Sequence, residues 1–373
     1  MLRTLILGGT GWLGSELAQQ LVEAGHEVTA LARGVAGTVP DGVRLVRADR
    51  SLPGAYDTVS RSEWDEVIEL SYEPAFVEEA LAALSAHAAH WTLVSTVSVY
   101  ANQQQPAANE DAAVYEPRDL GDYGQAKVAA ERTSEQVLGE RLLIARPGLI
   151  TGPKDPTDRF SYWVSRLALA GAAQVLTPAV QGRYVQVIDV RDVAAWIIDA
   201  GQRELQGVVN VVGTPRPLAD VLDTAAQVAG FTGELVAAED QWLQDHQVSY
   251  WPGERSLPLW LPREDFGFLQ RGNQRYKSAA GPERDMTDLL ADILADERAR
   301  ALDRERRAGL DRGKNWNCWQ SLPAGARRPR GIRPCGSSGP AAGQRPGPAH
   351  RRRIHSAATL PHRPGRSARP GWQ

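Results

Sequence analysis

The sequence predicts an α/β protein: a doubly wound parallel sheet, a smaller C-terminal substrate lobe and a disordered tail. Three observations predict it. Short apolar runs alternate with helical patterns as far as residue 146. A glycine-rich turn joins the first run to the first helix. At Arg312 the composition changes abruptly.

"RTLIL" (3–7) is a short apolar run that suits a buried parallel strand. After the glycine turn, Leu13, Leu17, Leu21 and Val22 recur at helical spacing, and Gly25 ends the helix. Strands follow at 27–32, 43–46, 66–70 and 91–96, with an alanine-rich helix at 75–89. The stretch 33–42 holds three Gly and a Pro and is too broken for a full helix. A helix at 121–139 and a strand at 141–146 complete the series. Such alternation implies right-handed βαβ units. Further on, 159–171 reads as a helix, 184–200 as a strand turning into a helix, 207–213 as a strand and 283–306 as helical. The expected organisation is a dinucleotide-binding domain over 1–152, to which 184–213 returns. A substrate-binding lobe takes 153–183 and 214–311, and the tail is 312–373.

The chain's 373 residues suffice for a large core and two lobes. Its opening apolar run is short and leads into glycines, so it does not read as a signal peptide. No stretch reaches the length of a membrane span. The expectation is a cytoplasmic protein with no membrane partner. The net charge of −3 hides an asymmetry. Residues 1–311 carry 29 Lys and Arg against 45 Asp and Glu, a net −16. An acidic body is a poor ligand for a phosphate backbone, so no nucleic-acid partner is expected. Both cysteines, Cys318 and Cys335, lie in the tail. The body therefore has neither disulfides nor a thiolate site, and no metal is expected.

Eighteen of the last 62 residues are Gly or Pro, and aliphatic residues nearly vanish. Such a segment cannot offset its chain entropy by burial. "GKNWNCWQ" (313–320), back-translated and read two nucleotides later, can be written Glu-Lys-Leu-Glu-Leu-Leu-Ala. That run continues the helical pattern before it. The reading is a frameshift near residue 312, preferred to a basic interaction arm.

"GGTGWLG" (8–14) satisfies two glycine templates, through Gly9, Gly11 and Gly14 or Gly8, Gly11 and Gly14. Glycines allow a tight turn and close approach to a pyrophosphate, and the following helix aims its N–H groups at the anion. The motif follows a predicted strand and opens a predicted helix, the context that gives it meaning. Thr10, Trp12 and Leu13 share the turn and are expected at the cofactor. At the end of the second strand, an acid would hold the ribose 2′-OH of NAD, whereas Arg suits a 2′-phosphate. Here "LAR" places Arg33 in that slot, so NADP(H) is expected, with NAD(H) as the alternative. Asp49 follows the third strand and is expected at the adenine edge, with Arg50 beside it.

"YGQAK" (123–127) sets a tyrosine and a lysine four residues apart, an ordinary helical pair on its own. Together with "GGTGWLG", "VSTVSVY" (94–100) and "RPGLITGP" (146–153), in this order, it resembles the short-chain dehydrogenase/reductase superfamily. More narrowly, the chain is similar to the extended branch, the NAD-dependent epimerase/dehydratase family. The resemblance covers roughly residues 1–311. It implies a Rossmann fold with Tyr123 as acid/base and Lys127 holding the nicotinamide ribose while depressing the tyrosine pKa. It implies that Thr96 polarises the substrate oxygen, with Ser95 and Ser98 as rivals for that slot. Ser95 is also expected at the cofactor, and Pro147, Gly148 and Leu149 at the nicotinamide. A free tyrosine has a pKa near ~10, so a neighbouring ammonium is needed to bring it toward neutrality. A homodimer is a further implication.

The chain departs from relatives on the same frame. Val97 and Ser98 stand where 4,6-dehydratases place acids. The Asn-containing turn of nucleotide-sugar epimerases is replaced by Gly148 and Leu149, and the expected basic residue is out of register, Arg183 being nearest. Tyr72, Ser98, Tyr162, Trp163 and Gln186 are candidates for the substrate pocket. The leading expectation is an NADP(H)-dependent oxidoreductase acting on a carbonyl or secondary alcohol of a small metabolite. A nucleotide-sugar epimerase is the alternative. A non-catalytic dinucleotide-sensing or RNA-binding module is a minor one. Resequencing the gene tests the frameshift: a second frame continuing the helix is expected, and an intact frame through residue 312 removes the idea.

Overall fold

The computed structural model describes residues 1–311. The expectations for 312–373, with Cys318 and Cys335, lie outside the described residues.

Seven strands form one parallel sheet: β1 Arg3–Leu7, β2 Glu27–Ala32, β3 Arg44–Arg47, β4 Trp64–Glu69, β5 Ala88–Val94, β6 Leu142–Pro147 and β7 Gly207–Val211. Their spatial order is β3-β2-β1-β4-β5-β6-β7. The strands buried on both faces are near-continuous apolar runs, as a covered parallel sheet requires. In β1, Leu5 and Leu7 face one core and Ile6 the other, all three fully buried. Helices α2 (Pro74–Leu84) and α3 (Tyr123–Leu138) cover the first face. Helices α1 (Trp12–Glu23) and α5 (Val190–Gln202) cover the second. This is the doubly wound Rossmann arrangement. The strand order switches direction at β1, whose neighbours are β2 and β4. Ligands of such sheets bind beyond the carboxyl ends of the strands at that switch point.

A further core draws on α4 (Ser161–Ala170), α6 (Leu218–Ala229) and α7 (Met286–Ala299). It includes Trp163, Trp251 and Trp260 and also takes Val97, Tyr100 and Val128 from the sheet side. The stretch read as one strand entering a helix at 184 is two short strands, Tyr184–Val185 and Val187–Asp189, before α5. Residues 33–42 form no helix. No helix among the described residues is long and apolar enough to cross a membrane.

A buried polar network joins three elements. Arg146 of β6 grips Glu131 of α3 with both forks, at 2.9 and 2.6 Å. It also donates to the Tyr100 hydroxyl at 3.1 Å, which donates to Asn210 of β7 at 2.6 Å. Glu131 and Arg146 are 3% and 5% exposed, so neither charge can turn to water. Removing one partner strands the other in low dielectric, at a cost of roughly 3–5 kcal/mol. Glu131→Ala is therefore expected to lower stability by roughly that amount in urea unfolding. A change below about 1 kcal/mol, the scale of a surface pair, would show that the pair is not a structural tie.

Candidate active site

The glycine turn is shaped by close packing. A Cβ on Gly14 would stand 2.6 Å from the Gly8 carbonyl oxygen and 2.8 Å from the Gly9 Cα. Gly8 has φ +101°, a conformation that L side chains rarely adopt. Gly11 caps α1 with no side-chain hydrogen bond, and the first turn holds no acid. The amides at this helix end are thus left to an anion. Thr10 is buried, Leu13 packs against the core, and the Trp12 indole donates to the Pro153 carbonyl at 3.0 Å.

A cavity of about 290 Å³ opens beside the turn, lined by Gly8, Gly11, Arg33, Gly34, Asp49 and Tyr72 among others. Asp49 accepts from the Ser51 backbone N–H and hydroxyl, at 3.0 and 2.7 Å, which holds its pKa below the ordinary value. Arg50 also borders this cavity, but its polar atoms are spent elsewhere. Its guanidinium pairs with Glu69 at 2.8 and 2.5 Å and donates to the Tyr56 hydroxyl and the Phe76 carbonyl. Arg50 thus lines the cavity while its guanidinium serves a structural tie. Glu69 in turn accepts the Ser71 N–H at 2.7 Å.

A second cavity, about 230 Å³, shares Leu70 as a wall with the first. It is lined by Ser95, Thr96, Ser98, Tyr123 and Lys127, with Trp12 and the run Pro147, Gly148 and Leu149. Asp122 caps α3 by accepting the Gln125 N–H at 2.9 Å, so Tyr123 stands at the first helical position. A Cβ on Gly124 would lie 2.5 Å from the Ser98 carbonyl oxygen. The missing side chain lets α3 close on the loop after β5. The Thr96 hydroxyl donates to Ser98 Oγ at 3.2 Å and accepts the Ser98 N–H at 3.1 Å. Ser95 Oγ is buried without a hydrogen-bond partner among the described residues.

Burial pushes the Tyr123 phenol above its ordinary pKa; a Thr96 hydrogen bond and then the charge of Arg159 pull it back. The expectation that Lys127 depresses this pKa is not met by the protein's own groups. The Lys127 ammonium donates instead to the Ser71 and Val94 carbonyls, at 2.8 and 2.5 Å. Burial lowers its pKa to about 8, against the pull of Glu69 and Glu131.

The substrate candidates divide. Ser98 lines the second cavity, while Tyr72 lines the first and packs edge-on to Tyr123 with centroids 5.7 Å apart. Trp163 is core, its indole donating to the Pro258 carbonyl at 2.9 Å. Tyr162 is also in the core and borders a different cavity, beside Arg304 and Arg306. The Gln186 amide is used internally, donating to the Gly213 and Arg271 carbonyls and accepting the Arg271 N–H. Arg183 is held by Asp240 and the Leu261 carbonyl, away from both cavities. Sequence reasoning missed Arg159, Trp251 and Phe268, which all line the second cavity. Their signal, a charge ahead of an aromatic helix and two aromatics in a loop-rich region, has no local period.

Comparison with known proteins bears on this geometry. The family model described as "NAD dependent epimerase/dehydratase family" matches residues 4–213, the span that builds the sheet. The chain belongs to this family. As an epimerase/dehydratase family member it is 27% identical, over 296 residues, to the 2'-dehydrokanamycin reductase of Streptomyces kanamyceticus. That alignment covers 76% of this chain and 82% of the relative. In fold it is similar to UDP-glucose 4-epimerase of Thermus thermophilus, solved with NAD, with a TM-score of 0.57 at 20% identity. It is similar also to UDP-glucuronic acid 4-epimerase of Bacillus cereus, solved with NAD, with a TM-score of 0.59 at 14% identity. Each of these two matches covers 80% of this chain and all of the other.

The residues present fit a dinucleotide. A Cβ would fill the glycine cradle, the α1 amides lack a side-chain cap, and Ser95 Oγ is a buried atom in need of a partner. Gly124→Ala forces α3 away from the Ser98 carbonyl and shifts Tyr123 relative to Thr96. Misplacement near 1 Å costs up to ~100-fold in rate. Turnover of that variant is expected to fall at least about tenfold while its circular dichroism stays native. Unchanged turnover would show that the contact is not what sets the site.

Proposed function

We propose that this chain is an NADP(H)-dependent oxidoreductase that moves a hydride to or from a carbonyl or secondary alcohol of a small metabolite. The observation that carries the reading is the shared cavity of Thr96, Tyr123 and Lys127, which adjoins the cavity beside the glycine turn across Leu70. A bound nicotinamide supplies or accepts the hydride. Tyr123 gives the substrate oxygen its proton in reduction and takes it in oxidation. Thr96 orients that oxygen through its hydroxyl. Lys127, buried with a pKa of about 8, holds its ammonium between two carbonyls at neutral pH and is placed to meet a ribose hydroxyl. Pro147, Gly148 and Leu149 line the same cavity and would form the wall beside a bound nicotinamide.

Arg33 supports NADP(H) over NAD(H), since it lines the first cavity at the end of β2. Arg47, at the end of β3, lies against Gly34 and adds a second positive group beside the same cavity. The reductase reading is favoured over epimerisation by the 2'-dehydrokanamycin reductase relative and by the internal pairing of Arg183.

Purified protein given NADPH and a panel of small carbonyl compounds tests the reading. Oxidation of NADPH is expected, with at least about a hundredfold loss in Tyr123→Phe, the range of general acid catalysis. Equal turnover by that variant removes Tyr123 from the mechanism. Arg33→Ala is expected to weaken NADPH at least about tenfold and leave NADH nearly unchanged. Tighter binding of NADH than NADPH by the native chain would overturn the cofactor assignment.

A further inference from the structure

Arg159 stands in the second cavity with Thr96, Tyr123 and Lys127. Its Nε is buried with no hydrogen-bond partner, and its guanidinium makes no hydrogen bond or ion pair among the described residues. Arg50, Arg146 and Arg183 show the contrast: each grips a carboxylate, of Glu69, Glu131 and Asp240 respectively. Arg159 is half-buried, so its charge is partly withdrawn from water with no anion or hydrogen bond to offset the loss.

The head group is nevertheless held in place. Its Cζ lies 5.5 Å from the centroid of the Trp251 ring, a cation–π contact. Trp251 itself packs edge-on to Phe268 and adopts φ +60°, in the left-handed region. Strain of this kind gathers at ligand clamps. The acid whose charge acts on Arg159 is Asp155, which forms no ion pair with it. Asp155 Oδ1 accepts the Thr157 N–H and hydroxyl, at 2.8 and 2.7 Å, and burial pushes its carboxyl toward the protonated form. The guanidinium thus forms no ion pair in the cavity that it shares with Tyr123.

A planar five-donor fork matches a carboxylate or phosphate better than any neutral group. We infer that Arg159 is a specificity-determining residue: the substrate carries an oxyanion, carboxylate or phosphate, beside the reacting carbonyl, and Arg159 receives it. The inference deepens the oxidoreductase reading and rests on it for the identity of the reacting carbonyl. The same charge favours ionised Tyr123, so binding and proton transfer meet at one residue. A cationic group at that position on the substrate would meet like charge from both Arg159 and Lys127.

Calorimetric titration of the full chain saturated with NADPH tests it. One arm compares pyruvate with methyl pyruvate, the other dihydroxyacetone phosphate with dihydroxyacetone. In at least one arm the anion is expected to bind at least about tenfold more tightly than its neutral partner, and that arm names the anion. Arg159→Gln is expected to bring the pair within about twofold, and Arg159→Lys to keep part of the preference. In a pH titration of tyrosine absorbance, Arg159→Gln is expected to move the Tyr123 transition upward, because a favourable positive charge is lost. Three results overturn the proposal: no anion preferred in either arm, undetectable binding included; a preference that survives Arg159→Gln; or a variant that loses NADPH affinity with the anion ratio unchanged. Tyr123→Phe separates the two readings. It is expected to abolish turnover and keep the anion preference, so the hydride reading and the oxyanion reading fail independently.

Discussion

The close contact of Gly124 with the Ser98 carbonyl sets the site. Helix α3 delivers Tyr123 and Lys127, one turn apart on one face. The loop after β5 delivers Ser95, Thr96 and Ser98. These two groups meet because residue 124 has no side chain to hold them apart. The Arg146–Glu131 pair fixes the same helix to the sheet one turn further along. A packing constraint at the start of the helix and an electrostatic one in its middle thus determine where the phenol stands.

Burial then sets the chemistry. Lys127 loses its ordinary pKa to desolvation, and its ammonium finds two backbone carbonyls rather than the phenol. One of those carbonyls belongs to Ser71, whose own N–H is fixed by Glu69, which Arg50 clamps. Arg50 therefore serves the site from behind. The cation that lowers the Tyr123 pKa is Arg159, from the loop before α4. Lys127 and Arg159 thus bring two cations to the cavity that Tyr123 lines, one from α3 and one from the loop before α4.

Much of this was legible in the sequence because it is local. Apolar runs, glycine spacing and helical periodicity are properties of neighbouring residues, and they announced the sheet, the cradle and the pair Tyr123 and Lys127. The strand edges moved by only a few residues, as with β5, which begins at Ala88 rather than residue 91. What was hidden depends on long-range partners. Gln186 looked available until Arg271 and Gly213, distant in sequence, took its amide. Arg50 borders the expected cavity, but its grip on Glu69, 19 residues away, is announced by no local pattern. Arg159 gave no sign of its place in the cavity, since an unpaired charge is visible only once every neighbour is placed.

Trp251 carries a broader consequence. A bulky aromatic in a left-handed backbone conformation is a poor choice for folding, and glycine there would relieve the strain. Glycine would also remove the ring on which Arg159 rests. Residue 251 is thus a position where backbone strain and core packing pull in opposite directions, since the ring that strains the chain also fills the core. A library screened for heat resistance would keep an aromatic there, because emptying the space of a buried Trp costs roughly 3–5 kcal/mol against roughly 1–3 kcal/mol of backbone strain.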